Sequence, residues 1–137
     1  MRFDTKIAVV VRDDLAAWQK LNVTAFLASG LAHATEEMVG KPYEDASGTA
    51  YLPLFREPVL VFAAADGAAL ARARTRALDR GLAVAVYTEE MFATGNDEDN
   101  RAAVRAVAAD GLRLAGLAAY GPRTAVDKAT KGLALHG

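Results

Sequence analysis

The stretch KIAVVVRDDLAAWQKLNVTAFLASGLAHATEE, Lys6 to Glu37, decides the fold of this 137-residue chain. Within it, Ile7 to Val11 reads IAVVV, a short, continuous and largely β-branched apolar run. Such a run predicts a strand covered on both faces, as in a sheet held between helix layers. Asp13 or Asp14 stands where a side chain can cap the helix that follows. That helix is expected to turn Leu15, Trp18, Leu21, Phe26 and Leu31 toward the sheet, with Ala25, Ser29 and Ala32 as small neighbours. Gly40-Lys41-Pro42 ends it, since proline cannot continue the ladder.

Working outward, Tyr43 to Thr49 reads as a loop and Ala50 to Leu54 as a short strand before the break at Arg56-Glu57-Pro58. VLVFAA, Val59 to Ala64, is a second buried strand. Asp66 then caps a helix that Gly81 closes. LAVAVY, Leu82 to Tyr87, makes a third strand. Strand, helix and strand at these lengths predict parallel neighbours with right-handed crossovers. Asn96 with Asp99 three residues on resembles a capping box, so a helix is expected from about Asp97 to Asp110, closed by Gly111. Leu114 to Tyr120 and Gly132 to Leu135 read as further strands, joined by the loop GPRTAVDKATK. The expectation is one α/β domain over residues 1–137, a three-layer α/β/α arrangement around a mixed sheet of about five strands.

Composition narrows the function classes. The chain has no cysteine, which removes disulfides, thiolate metal sites and a thiol nucleophile. Two histidines without cysteine fit a zinc site poorly. The net charge of −1 supplies no global pull toward nucleic acid or an anionic membrane. MRFDT runs straight into the first strand, with neither a signal peptide's apolar region nor roughly 18 consecutive apolar residues. Cytoplasmic residence, no membrane attachment and no cofactor are therefore expected.

Several charged constellations stand out, each with a plainer alternative. Arg12, Asp13, Asp14 and Lys20 gather where the first strand feeds the first helix, a place where open α/β sheets hold ligands; capping and surface pairing would equally use them. His33 and Glu37, four apart, form an exposed helical pair, and His136 stands one residue from the end of the chain. Arg72, Arg76 and Arg80, with Arg101 and Arg105, make stripes that can track a phosphate backbone, or simply a solvated face. Glu89-Glu90 lies at a strand's carboxyl end, where paired carboxylates suit acid–base work or an ordinary acidic loop.

Two segments together carry a family resemblance. VVVRDDL with Lys20 in the next helix resembles the opening of the type-two peptidyl-tRNA hydrolases, and RTAVDKATKGLALHG, Arg123 to Gly137, resembles their closing segment. Trp18-Gln19-Lys20-Leu21-Asn22 and Gly121…Val126-Asp127-Lys128 match more closely a small bacterial family sharing that fold. The chain is identified by them as a member of DUF2000, a family of unknown function. The hydrolase aspartate before the closing Arg-Thr falls on Tyr120 here, or on Thr88 in another register, with Glu89 the nearest carboxylate. The helix-one glutamine and histidine of the hydrolases fall on Thr24 and Leu27. Fold is implied, and peptidyl-tRNA hydrolysis is contradicted by these residues.

From residues and resemblance together, Lys20, Thr124 and Glu89 are the candidate catalytic groups, with Tyr87 as an alternative proton carrier, and Arg12, Asp14, Asn22 and Lys128 the candidate ligand contacts. They are expected to converge on a cleft between helix one and the closing loop that takes a small anionic or carbonyl ligand. A hydrolase of peptidyl-tRNA or a related acylated substrate is the alternative, and an interaction module the third. The resemblance implies a homodimer; tRNA is the less favoured partner.

Overall fold

The computed structural model describes residues 3–137. In chain order the elements are β1 (Thr5–Arg12), α1 (Ala17–Ala34), β2 (Tyr43–Glu44), β3 (Ala50–Tyr51), β4 (Val59–Ala64), α2 (Gly67–Asp79), β5 (Ala83–Thr88), α3 (Asp97–Arg105), β6 (Leu114–Pro122), α4 (Arg123–Ala129) and β7 (Ala134–Leu135). A five-stranded mixed sheet runs β5-β6-β1-β4-β7, while β2 and β3 form a separate small hairpin. The mixed sheet and its helix layers are those expected from the buried strand runs.

Alternation along the strands builds two cores. Ile7, Val9 and Val11 face Val23, Leu27 and Leu31 of α1, whereas Ala8 and Val10 face Leu70, Ala73 and Ala77 of α2 and Val126 of α4. The strands therefore read as unbroken apolar runs because both faces are covered. Asp66 caps α2 through the Ala69 amide at 2.9 Å, and Asn96 caps α3 through the Asp99 amide at 2.9 Å. Gly81 takes a left-handed φ of 68° behind α2, a conformation that glycine adopts without a Cβ penalty.

The structure corrects several expectations. β1 and β4 are parallel neighbours, but β5 pairs with β6 and not with β4. The crossover through α2 passes over β1 and β6, because the antiparallel β6 occupies the place beside β1. The loop foreseen between the last two strands contains α4. Tyr43–Glu44 pairs with Ala50–Tyr51 where a plain loop was expected. α3 stops at Arg105 rather than near Asp110; it has no buried residue, so no tertiary contact extends it. α1 ends at Ala34, where Thr35 turns to extended backbone.

Its N-cap is Ala16 and not an aspartate. The Asp13 amide continues β-type bonding to the Ala64 carbonyl at 2.8 Å, which holds the aspartates on the strand side, short of the capping position. Gln19 Oε1 instead accepts from the Ala16 amide at 2.9 Å. The face of α1 also differs. Val23, Leu27 and Leu31 are buried, while Trp18, Leu21 and Phe26 are exposed. Apolar residues ring this helix, so periodicity alone does not choose its inner face.

Candidate functional site

The carboxyl ends of β1, β4 and β5 and the start of β6 lie along one edge of the sheet, as their pairing directions require. Arg12, the last residue of β1, is only 15% exposed in its side chain. Its Nε donates to Asp14 Oδ1 at 2.7 Å and its Nη1 to Glu89 Oε1 at 2.5 Å and the Leu114 carbonyl at 3.2 Å. Arg113 reaches the second oxygen of Glu89 at 3.4 Å and Glu90 Oε1 at 2.9 Å. Alternating charge thus ties the ends of β1, β5 and β6 together. The Arg12 guanidinium holds the Asp14 carboxyl below its usual range. A backbone amide and then Arg113 do the same for Glu90.

Thr88 closes β5 in this corner, beside a bulge. Its hydroxyl oxygen is buried and, although it lies near the Glu90 carboxylate, makes no hydrogen bond of normal geometry among the described residues, a desolvated state that costs about 1–3 kcal/mol. Thr88→Val keeps the shape and removes the orphan. It is expected to stabilise the fold by about 1 kcal/mol or more, read as a rise in the midpoint of urea unfolding; an unchanged or lower midpoint would contradict this.

A second cluster lies one turn into α1. Lys20 falls in the i, i+3, i+7 and i+11 series with Val23, Leu27 and Leu31, on the sheet-facing side of the helix, and its side chain is 19% exposed. Its Nζ lies 3.4 Å from Asp13 Oδ1 and 3.1 Å from His136 Nε2. β7 delivers the histidine: Leu135 stands opposite Phe62, and the His136 amide donates to the Val61 carbonyl at 2.8 Å. The imidazole Nδ1 lies 2.9 Å from the Gly137 main-chain oxygen. In the tautomer protonated at Nδ1 it donates there and accepts from the Lys20 ammonium at Nε2. Asp13 Oδ1 completes the group, 3.7 Å from that nitrogen.

These polar groups open onto an apolar groove. α1 packs on β1, β5 and β6, so the same face of β4 is left beside the helix uncovered. The resulting groove of about 610 Å³ is lined by Val11, Leu21, Ala25 and Val61, with Lys20, Thr24 and His136. It continues past Ala25 into a second depression of about 480 Å³ bounded by Ala28, Ala32, Leu54 and Phe55. Among the described residues, no group of three or more His, Asp or Glu is placed to hold a metal ion.

The foreseen constellation does not assemble as one cleft. Arg12, Asp14 and Glu89 meet, and Lys20 stands nearby through Asp13. Thr124 and Lys128 lie on α4, which packs against the opposite face of the sheet from α1. Its start is fastened to the amino end of β1: the Arg123 amide donates to the Asp4 carbonyl at 2.8 Å, and Lys6 pairs with Asp127 at 2.5 Å. The physical reason is direction, since β6 runs antiparallel to β1 and releases the chain at the far end. Asn22 faces the other flank of α1, beside the Tyr87 hydroxyl. Burial pushes that phenol up, with the Asn22 amide opposing. Glu89 has both carboxylate oxygens engaged by guanidinium groups. His33 and Glu37 make no pair among the described residues; α1 ends between them. Of the arginine stripes, Arg76 donates to the Lys131 carbonyl, Arg80 to the Arg76 carbonyl, and Arg101 to Asp97.

Asp13 is one of the two aspartates foreseen beside Lys20, and His136 is the residue the sequence did not single out for this group. Lys20 was legible as a cation just inside the helix that follows the first strand; His136 was not, because a two-residue strand leaves no periodic trace.

The family model for proteins of unknown function designated DUF2000 matches residues 5–137. The chain belongs to this family. A solved structure of a protein of unknown function from Agrobacterium tumefaciens strain C58 is similar to it over 99% of this chain and 100% of that one, at 48% identity and a TM-score of 0.94. No curated protein matches. Among the described residues, no helix of this DUF2000 member is long and apolar enough to cross a membrane.

Proposed function

We propose that this DUF2000 protein binds a small organic acid, its carboxylate on Lys20, which His136 orients by accepting from its ammonium, and its apolar body along the groove beside α1. The observation that carries this is the 3.1 Å approach of Lys20 Nζ to His136 Nε2 at the edge of an apolar groove of about 610 Å³. A cation seated against apolar walls is partly stripped of water, which strengthens its bond to an anion. Charge-assisted hydrogen bonds contribute about 1.5–3 kcal/mol each. Asp13 competes for Lys20 and keeps the affinity moderate, so the same reading requires that its removal tighten binding.

The test is a thermal-shift titration with octanoate against octanol, equal in chain length and different in charge. Octanoate is expected to raise the melting temperature in a saturable way, because ligand bound only by the folded state stabilises it; octanol is not. Lys20→Ala is expected to weaken octanoate binding roughly 10- to 150-fold, and Asp13→Asn to strengthen it. Equal response to acid and alcohol, or to Lys20→Ala and the parent protein, would remove the proposal.

Ligand hydrolysis is the weaker reading. Thr24 supplies the hydroxyl lining the groove, and it already donates to the Lys20 carbonyl at 2.8 Å; Glu89 is held by Arg12 and Arg113. Peptidyl-tRNA turnover above that of Lys20→Ala would revive it. The likeness of the fold to type-two peptidyl-tRNA hydrolases, tRNA binding and homodimer formation rest on the motif resemblance alone.

A further inference from the structure

The flank of α1 turned away from that groove carries a different chemistry. Trp18, Asn22 and Phe26 recur there at four-residue spacing and border a cavity of about 340 Å³ closed by Tyr87, Phe92 and the 94–100 segment. Trp18 is 62% and Phe26 50% exposed, although burying such side chains is among the largest apolar gains a fold can make. Both are nonetheless held in place by their edges. Trp18 meets Phe92 at 5.9 Å and 75°, Phe26 meets Tyr87 at 5.7 Å and 63°, and Tyr87 meets Phe92 at 5.0 Å. The result is ordered, unburied aromatic surface around a hollow, which loses little freedom when something fills it.

The polar groups are amides rather than cations. Asn22 stands beside the Tyr87 hydroxyl. Asn100 shares one end of its side-chain amide with the Thr94 hydroxyl, which leaves the other end for a ligand. Asn96 is consumed by the cap of α3, bonded to the Asp99 amide at 2.9 Å and the Asp99 carboxylate at 3.0 Å. The lining contains no lysine or arginine, and its one carboxylate, Asp97, is paired with Arg101. Phosphate and carboxylate ligands are therefore disfavoured here, in contrast to the groove at Lys20. The volume and the mix of rings with a few fixed polar groups are those of a small-molecule pocket.

We infer that this cavity is a binding site for a flat, uncharged nitrogen heterocycle of nucleobase type, its ring against Trp18 and Phe92 and its polar edge on Asn22 and Asn100. Amide side chains read such edges with paired donors and acceptors, and the aromatic faces supply sequence-tolerant stacking. The site is distinct from the acid-binding groove and stands or falls separately from it.

The chain has one tryptophan, Trp18, so its fluorescence reports on this cavity alone. Adenosine, uridine and nicotinamide would be titrated against the full chain with excitation selective for tryptophan. At least one is expected to change the emission saturably, and ATP to act roughly tenfold or more weakly than adenosine wherever adenosine binds, since its phosphates find no lysine or arginine in the lining and the nearby Arg101 is engaged by Asp97. Asn22→Ala and Asn100→Ala are each expected to weaken the response roughly three- to tenfold, with melting temperatures kept; Arg72→Ala, on α2 across the sheet, is expected to leave it unchanged. Failure of all three probes to about 5 mM, a range covering weak small-ligand affinities, would overturn the inference. So would tighter binding of ATP than adenosine, or full binding in the Asn22→Ala/Asn100→Ala double variant.

Discussion

Leu27→Ala is expected to destabilise the fold by about 2–5 kcal/mol, the range for emptying a buried leucine position. Leu27 is 2% exposed and sits at the middle of α1, in the core shared with Val9, Val11 and Ala118. The cavity cannot collapse easily, because the layer beneath it is a hydrogen-bonded sheet, paired on both sides of β1 and β6. A domain of this kind has only about 5–15 kcal/mol in total, so the loss is a large share of it. For a chain of this length it corresponds to roughly 3–4 °C per kcal/mol in melting temperature. Urea unfolding gives the direct measure: the midpoint should fall with the slope unchanged. A cost below about 1 kcal/mol would be outside the behaviour of well-packed leucines and would mean that α1 does not lie on the sheet as described.

Gly116→Val is expected to cost about 3 kcal/mol or more, from the opposite fault, overpacking. A Cβ at Gly116 would stand 2.6 Å from Val23 Cγ1, 3.0 Å from the Val10 carbonyl oxygen and 3.3 Å from Leu27 Cδ1. Gly116 is not in a positive-φ conformation, so what it supplies is room and not backbone freedom. α1 approaches β6 through that room. Adding a branched side chain pushes the helix outward and carries Lys20 and Asn22 with it, so both binding responses should weaken together with stability. Gly116→Ala combined with Val23→Ala offers an internal check. Removing Cγ1 of Val23 relieves the worst contact, so the pair should cost less than the sum of the single changes by about 1 kcal/mol, a coupling typical of touching residues. The Val10 carbonyl belongs to the backbone and remains, so relief is incomplete. Strict additivity would place Val23 away from Gly116.

Much of the architecture is written in short-range signals. IAVVV and VLVFAA are strands wherever they occur in a covered sheet, and Asp66, Asn96 and Gly81 punctuate helices through contacts no more than a few residues long. The corner at Arg12 was legible for the same reason, because its partner Asp14 is two residues away. The inner face of α1 was not, since Trp18, Leu21 and Phe26 compete with Val23, Leu27 and Leu31 for it. α4 was missed because seven residues of RTAVDKA bury only Val126 and Ala129, too few to make a period.

Local residue order thus set the long strands and the first three helices, and where the charges enter and leave them. Three-dimensional packing alone chose the neighbours: β6 beside β1, α4 beneath the sheet and away from Lys20, and His136 above it. Lys20 and His136 are 116 positions apart, and they meet because β7 adds to the edge of β4 in one register. That choice depends on which sheet edge is free after the other strands have paired, a property of the assembled sheet that no window of sequence contains.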